Sequence, residues 1–554
     1  MQALLEINRQ AVLPESARVA GAADYNTRRR FAAITRTMNP HRPDAAGITE
    51  WRARRALLAI VAIGAILRLF HIGYQSLWVD EMLTLEVATP KPGYPIWQLL
   101  LHNIHGPLHT FVVFLFRGVS ESDAWLRLPS AIAGIVSIPL LFGWLRPRLG
   151  ARTALWSALL LAINPLHIHY SQELRNYAFV VCFVLAGCVQ IDRLTAGWSR
   201  GRAFGLSSLV AAAVLSNFSA VFAFAAQSIA FLRGAGRLRV WLPRWAAVGL
   251  MAAALLSPWI YRVTTYIDFG RLATPVMPGQ LDPSERLRGE TTFRFESIPY
   301  AVYAYSVGLS LGPSLRELHG DASLGSVVQR HAAVVLWVGL LFGAVTLAGL
   351  RAVRRAMGWG GLLEMAGYLL IPLVATLLLN WQNAKAFNVR YVLVGLPAYV
   401  AFLAAGVTSL RATRRLWVGG ALAATSLLSL GNHYFNPRFA REDVKRAVAG
   451  VEARADGREC IFAPTVWPVV RHYLTTDAPL HFVYGGPPGV AQRQLDAMFA
   501  QCDTFWYLRA RPWVDDPDGR VRDEIERRCE PLDHFSTAGV EATRYRVKQP
   551  LAPE

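Results

Sequence analysis

Charge is scarce in this sequence: Asp, Glu, Lys and Arg make up 17% of its 554 residues, where a soluble domain carries about 25%. The length alone would allow three or four soluble domains. The many charge-depleted apolar stretches exclude that arrangement. Cysteine is sparse too. Five residues with no Cys-x-x-Cys pair exclude a disulfide-built scaffold and a zinc knuckle. The first 50 residues carry Arg28, Arg29 and Arg30 but no apolar run ending in a small-residue cleavage site. They read as a polar cytoplasmic tail rather than a signal peptide. No internal repeat or low-complexity tract occurs.

The charge that is present leans to one sign, with 57 Lys+Arg against 38 Asp+Glu and a net +19. In a soluble chain that excess would suggest a nucleic-acid partner. Here the basic residues stand in short clusters between apolar stretches, as in loops facing an anionic leaflet, so no nucleic acid is expected.

A membrane-spanning helix needs about 20 mostly apolar residues. Such stretches lie near 56–72, 126–145, 153–169, 174–191, 203–216, 219–232, 245–261, 332–350, 361–380, 390–409 and 415–431, about eleven in all. Every second connection is basic: Arg52, Arg54 and Arg55; Arg146, Arg148 and Arg152; Arg193, Arg200 and Arg202; Arg233, Arg237, Arg239 and Arg244; Arg351, Arg354 and Arg355; Arg411, Arg414 and Arg415. The positive-inside rule puts these in the cytoplasm. The N-terminus is then inside and the chain beyond residue 431 outside. Residues 107–119 and 298–312 are apolar but short, and counting either as a span would invert the later clusters. Both read as helices at the outer interface or tucked against the bundle.

The expected organisation is a polar tail at 1–50, a polytopic helical domain at 51–431 with outer loops 73–125 and 262–331, and an extracytoplasmic α/β domain at 432–554. In the last, residues 441–451 and 519–529 read as helices, and 460–463, 504–509 and 543–548 as strands. Cys460, Cys502 and Cys529 lie in that domain, where one disulfide is plausible and the pairing stays open. Cys182 and Cys188 fall in a span and read as packing residues.

Chemistry gathers at the outer helix ends. Asp80 and Glu81 adjoin at the outer boundary after the first span. Acidic residues favour a helix start in any protein, but a carboxylate here could also take a proton from an acceptor hydroxyl. His102, His105 and His109 could ligate a metal, although their irregular spacing across Pro107 favours plain loop polarity. Glu173 and Arg175 stand at the top of an apolar helix, where ionisable residues are costly and usually functional. Arg175 is almost the only basic residue in the short outer loops of the first half, and a guanidinium suits a phosphate. Lys385, with Arg390 and Tyr391, is a similar exception before the tenth span. Together these residues suit an anionic lipid headgroup entering from the bilayer.

Four motifs occur in order: Ser76-Leu77-Trp78-Val79-Asp80-Glu81, His105-Gly106-Pro107-Leu108-His109, Arg127-Leu128-Pro129-Ser130-Ala131, and His169-Tyr170-Ser171-Gln172-Glu173-Leu174-Arg175-Asn176-Tyr177. The set resembles the bacterial branch of the protein O-mannosyltransferase-like glycosyltransferases, the GT-C group that includes lipid A aminoarabinose transferases. The likeness covers roughly 55–435 and is sharpest over 74–180. It implies a GT-C fold and an inner-membrane enzyme that moves a sugar from a polyprenyl-phosphate lipid, not a nucleotide sugar, to a hydroxyl acceptor. By the same resemblance Asp80 is the catalytic carboxylate with Glu81 supporting it. Glu173 and Arg175 would help hold the donor phosphate or a divalent metal, the one cofactor expected, and Arg390-Tyr391 opens a late helix. The family has His-Pro-Pro where this chain has His105-Gly106-Pro107, which weakens any role for His105. A transporter or flippase is the alternative. It predicts broken or polar midplane helices and two-fold internal symmetry, and neither is evident.

Overall fold

The computed structural model describes residues 49–101, 106–234, 238–265, 295–320, 323–381, 387–456, 459–482, 488–516 and 519–548. The chain divides into two compact units, 1–54 and 55–554. In the first, the described residues open helix α1 (Glu50–Leu69), where Arg54 Nε donates to Glu50 Oε1 at 3.1 Å. The tail read at 1–50 lies almost wholly outside the described residues.

The second unit is mostly helical because its apolar runs can satisfy backbone hydrogen bonds only within themselves. In order come α2 (Val79–Val87), α3 (Pro107–Arg117), α4 (Asp123–Ala162), α5 (Pro165–Ser171), α6 (Tyr177–Ala196), α7 (Arg200–Ser216), α8 (Ala220–Gly234), α9 (Leu238–Thr264), α10 (Ser297–Val307), α11 (Ala332–Trp381), α12 (Leu396–Thr408) and α13 (Ala412–Phe435). A 3₁₀ segment, Val389–Gly395, leads into α12. Among the described residues, five helices are long and apolar enough to cross a membrane: Asp123–Ala162, Tyr177–Ala196, Arg239–Thr264, Ala332–Trp381 and Val389–Thr408. Two of these are pairs of helices joined through a glycine, Gly150 at φ 81° in α4 and Gly358 at φ 70° in α11. Both breaks fall in or beside basic connections, and each of the eleven apolar stretches coincides with a helix. Leu250, Leu340 and Leu416 stand exposed on the outside, as lipid-facing side chains do.

The polar residues collect at opposite ends of these helices. At one end Arg148 donates to Asp192 at 2.5 and 2.7 Å and to Glu364 at 3.2 Å, stitching α4, α6 and α11 together. Asp192 lies fifteen residues along α6 from Tyr177, about 22 Å at 1.5 Å per residue. The candidate site lies beside Tyr177. The two doubtful stretches are α3 and α10, eleven residues each. They are too short to span the bilayer and bury one face against the bundle.

Beyond α13 the chain builds an α/β domain: α14 (Val444–Glu452), β1 (Cys460–Phe462), α15 (Trp467–Tyr473), β2 (Leu480–His481), α16 (Pro488–Gln501), β3 (Thr504–Arg509), α17 (Arg520–Arg528), β4 (Cys529–Thr537) and β5 (Val540–Val547). The strand order is β2-β1-β3-β5-β4, with β1 parallel to both neighbours and β5 antiparallel to both of its own. Cys460 and Cys502 form the disulfide, and Cys529 is free and buried. Strands β2 and β4 are additions to the sequence reading, and Cys529 starts β4 rather than ending a helix. The reason is visible in β4, an exposed edge strand holding Pro531 and Asp533 across a register shift. An edge strand tolerates those residues and so loses its apolar alternation.

Candidate functional site

The loop after α1 is folded around a buried ion pair. Trp78 caps α2 in extended conformation, and Glu81 reaches back to accept from Trp78 N at 3.2 Å. Glu81 is fully buried and also accepts from Arg127 Nε at 2.8 Å, Arg127 Nη2 at 2.7 Å, Leu174 N at 2.6 Å and Arg441 Nη1 at 3.3 Å. Arg127 spends its other hydrogens on the carbonyls of Ile72, Gln75 and Ser76 at 2.8–3.0 Å. The stretch 72–81 is thus wound around one guanidinium. Both oxygens of Glu81 are thus occupied by protein donors.

Asp80, one residue earlier, faces a different setting. Its side chain is 24% exposed and Oδ2 accepts from Arg390 Nη1 at 2.6 Å. Among the described residues Oδ1 has no protein hydrogen bond, and the Asp80 carbonyl accepts from Arg175 Nη1 at 3.0 Å. Arg390 is set by the 3₁₀ start, where Asn388 Oδ1 accepts from Arg390 N at 3.1 Å. Its guanidinium packs on the rings of Trp78, Tyr177 and Tyr391, 5.3–6.0 Å from their centroids. Nη2 donates to Tyr391 Oη at 3.3 Å, and the buried Nε has no partner among the described residues. Arg175 also donates to Thr84 Oγ1 at 2.8 Å, while its carbonyl accepts from Ser130 Oγ at 2.9 Å. The third and fourth motifs therefore converge on the first.

Glu173 completes the cluster. Its Oε1 accepts from Arg441 Nη2 at 2.7 Å and lies 3.2 Å from His169 Nε2, and its buried Oε2 has no partner among the described residues. Burial pushes this carboxyl upward, but Arg441, His169 and Arg390 outweigh that push and hold it at about 2. Asp80, Glu81, Glu173, Arg175, Arg390 and Tyr391 thus share one site. Lys385 and His105 lie outside the described residues. Next to His105, Gly106 has φ 89°, and a Cβ there would stand 2.4 Å from Leu215 O. Proline is locked near −65°, so this backbone requires the departure from His-Pro-Pro.

Four guanidiniums, Arg127, Arg175, Arg390 and Arg441, surround three carboxylates, a balance that suits a phosphate. It does not suit a divalent cation. Among the described residues Glu81 has no oxygen to offer, and Asp80 and Glu173 are each paired with arginine. Among the described residues no ligand set fits the metal expected from the sequence, and the candidate ligands His102 and His105 lie outside them.

Sequence reasoning gave no role to Arg127 and passed over Arg441 altogether. Arg441 sits in the charged run Arg441-Glu442-Asp443, which reads as a solvated helix start. The seam between the loop and the C-terminal domain was equally hidden. Leu77 N donates to Tyr473 Oη at 2.9 Å, and Asp123 Oδ2 accepts from Tyr473 at 2.9 Å and from Lys445 at 3.0 Å. Leu77, Met82 and Leu85 share one apolar core with Val444, Val448, Val469 and Val470.

Residues 104–261 match the protein family described as dolichyl-phosphate-mannose-protein mannosyltransferase. No curated protein matches the chain. The crystal structure of ArnT from Cupriavidus metallidurans in the apo state is similar with TM-score 0.54 and 10% identity, over 89% of this chain and 98% of that one. The same protein bound to undecaprenyl phosphate gives TM-score 0.51 and 11% identity, over 88% and 97%. At that identity the likeness is one of fold. The motif resemblance is borne out by the family match and by the fold.

Proposed function

We propose that this multi-pass chain of GT-C glycosyltransferase fold transfers a sugar from a polyprenyl-phosphate donor to a hydroxyl acceptor, with Asp80 as the base. The observation that carries this reading is the setting of Asp80: part-exposed, with one oxygen on Arg390 and the other without a partner among the described residues, beside the cationic pair Arg390 and Arg175. The undecaprenyl phosphate held by ArnT supports the donor class.

The step follows from those atoms. The acceptor O–H gives its proton to Asp80 Oδ1 while the oxygen attacks the anomeric carbon. The bond from that carbon to the phosphate oxygen breaks, and its electron pair leaves on the lipid phosphate. Arg390 and Arg175 stabilise the departing charge, with Lys385 and Tyr391 in the same phosphate-binding group. A lipid phosphate is already a good leaving group, so one base suffices, unlike the carboxylate pair of glycosidases. Attack opposite the phosphate inverts the anomeric centre. Glu81 and Arg127 hold the loop, and Glu173 lines the donor side.

The orientation that fits is the cytoplasmic N-terminus and extracytoplasmic C-terminal domain given by the basic connections, in the inner membrane. Offering purified membranes labelled polyprenyl-phosphate sugars and, in parallel, labelled nucleotide sugars tests the proposal. Transfer from the lipid alone supports it, and transfer from the nucleotide sugar contradicts it.

A further inference from the structure

Arg441 stands on the connector between α13 and α14, and its side chain is only 12% exposed. It reaches carboxylates on two separate outer loops, Glu173 Oε1 at 2.7 Å and Glu81 Oε2 at 3.3 Å. The backbone around it is tied to the C-terminal domain. Glu442 accepts from Arg511 at 2.9 and 3.1 Å, Asp443 N donates to Ala538 O at 2.8 Å, and Thr537 Oγ1 donates to Asp443 O at 3.0 Å. Arg511 also lies 5.3 Å from the Trp78 ring, over the start of α2. A side chain fixed at both ends carries the position of the domain into the site.

Resting on the glycosyltransferase reading above, we infer that Arg441 is a positioning residue through which the C-terminal domain sets the place and charge of Glu173, making that domain part of the catalytic unit. Glu173 is 2% exposed, and a carboxylate buried so deeply is driven toward its neutral form unless a cation faces it. The groups facing it are Arg441 from the connector, His169 and Tyr170 from α5, Arg390 from the 3₁₀ segment and His433 from α13. Arg441 makes the shortest contact and is the largest influence against burial. His169 can replace it only when protonated. Loss of Arg441 therefore moves proton uptake by Glu173 to higher pH and frees the Glu173 turn from the domain.

The test uses the full chain in lipid nanodiscs, as wild type, Arg441→Ala, Arg441→Lys, Glu173→Gln and the double variant Arg441→Ala/Glu173→Gln. Transfer from a labelled polyprenyl-phosphate sugar is followed from acid to neutral pH. The inference expects Arg441→Ala to lower kcat about ten- to a hundredfold and to shift the acid limb upward. Arg441→Lys restores the limb with only part of the rate. A limb unchanged in Arg441→Ala, with the rate falling only as the folded fraction falls, overturns it. Thermal unfolding of the same set against pH decides the coupling independently of the reaction. Wild type loses stability on acidification, and Arg441→Ala flattens that loss only while Glu173 is present. Additive effects in that cycle overturn the inference. A wild type that moves no sugar overturns the glycosyltransferase reading and leaves the unfolding result to stand by itself.

Discussion

Arg390 Nη1 lies 2.6 Å from Asp80 Oδ2, joining residues 310 apart in sequence at the open side of an otherwise buried cluster. On the proposed reading, a donor phosphate competes for the same guanidinium and frees Asp80 when the substrate is in place.

Replacing Arg390 by lysine keeps the charge but loses the fork and the stacking on Trp78, Tyr177 and Tyr391. About a tenfold or greater loss in kcat/KM is expected, chiefly as a raised KM for the lipid donor. Donor titration of the variant checks this, and an unchanged KM would remove Arg390 from the phosphate site.

Arg127→Ala leaves Glu81 buried without its bidentate partner. Breaking a buried pair this way costs about 3–5 kcal/mol. The variant should give little monodisperse protein, with a clearly lower Tm. A normally folded variant would contradict the role given to this pair.

Acid dependence has a second origin at Glu317. Burial acts upward on this carboxyl, but Arg438, the Ser314 amide and hydroxyl, and His331 bring it to about 2 against an ordinary 4.5. A carboxyl depressed on folding adds stability above its unfolded value and loses it as pH falls toward the folded one. Part of the chain's stability should therefore disappear between pH 4.5 and 2. Unfolding curves of Glu317→Gln should show a smaller acid loss than wild type.

The Cys460–Cys502 bond closes a loop with a sequence separation of 42. Its removal by Cys502→Ser should destabilise the C-terminal domain by about 2–4 kcal/mol. Because that domain shares a core with Leu77, Met82 and Leu85, proteolysis should also reach the loop that carries them sooner. Unchanged protection of that loop would separate the two.

The helices were legible because a run without charge has one solution in a bilayer, and the basic clusters marked the breaks at Gly150 and Gly358. The site was legible where ionisable residues stood against the local pattern, as Asp80, Glu173, Arg175 and Arg390 do. Arg441 stood in a run of charges, where one more arginine carries no signal. Glu81 was not separable from Asp80, because adjacent carboxylates look alike until the fold points one at Arg127 and the other at Arg390. The pairing of Cys460 with Cys502 depended on β1 lying beside β3, which no spacing reveals.

The most direct measurement is sugar transfer in purified membranes from a labelled polyprenyl-phosphate donor, comparing wild type with Asp80→Asn. Loss of a general base lowers the rate roughly 10²–10⁴-fold. The expected result is label passing to a new product in wild type and staying on the lipid in the variant, with both proteins equally folded. Equal transfer by the two would contradict the assignment of Asp80 as the base.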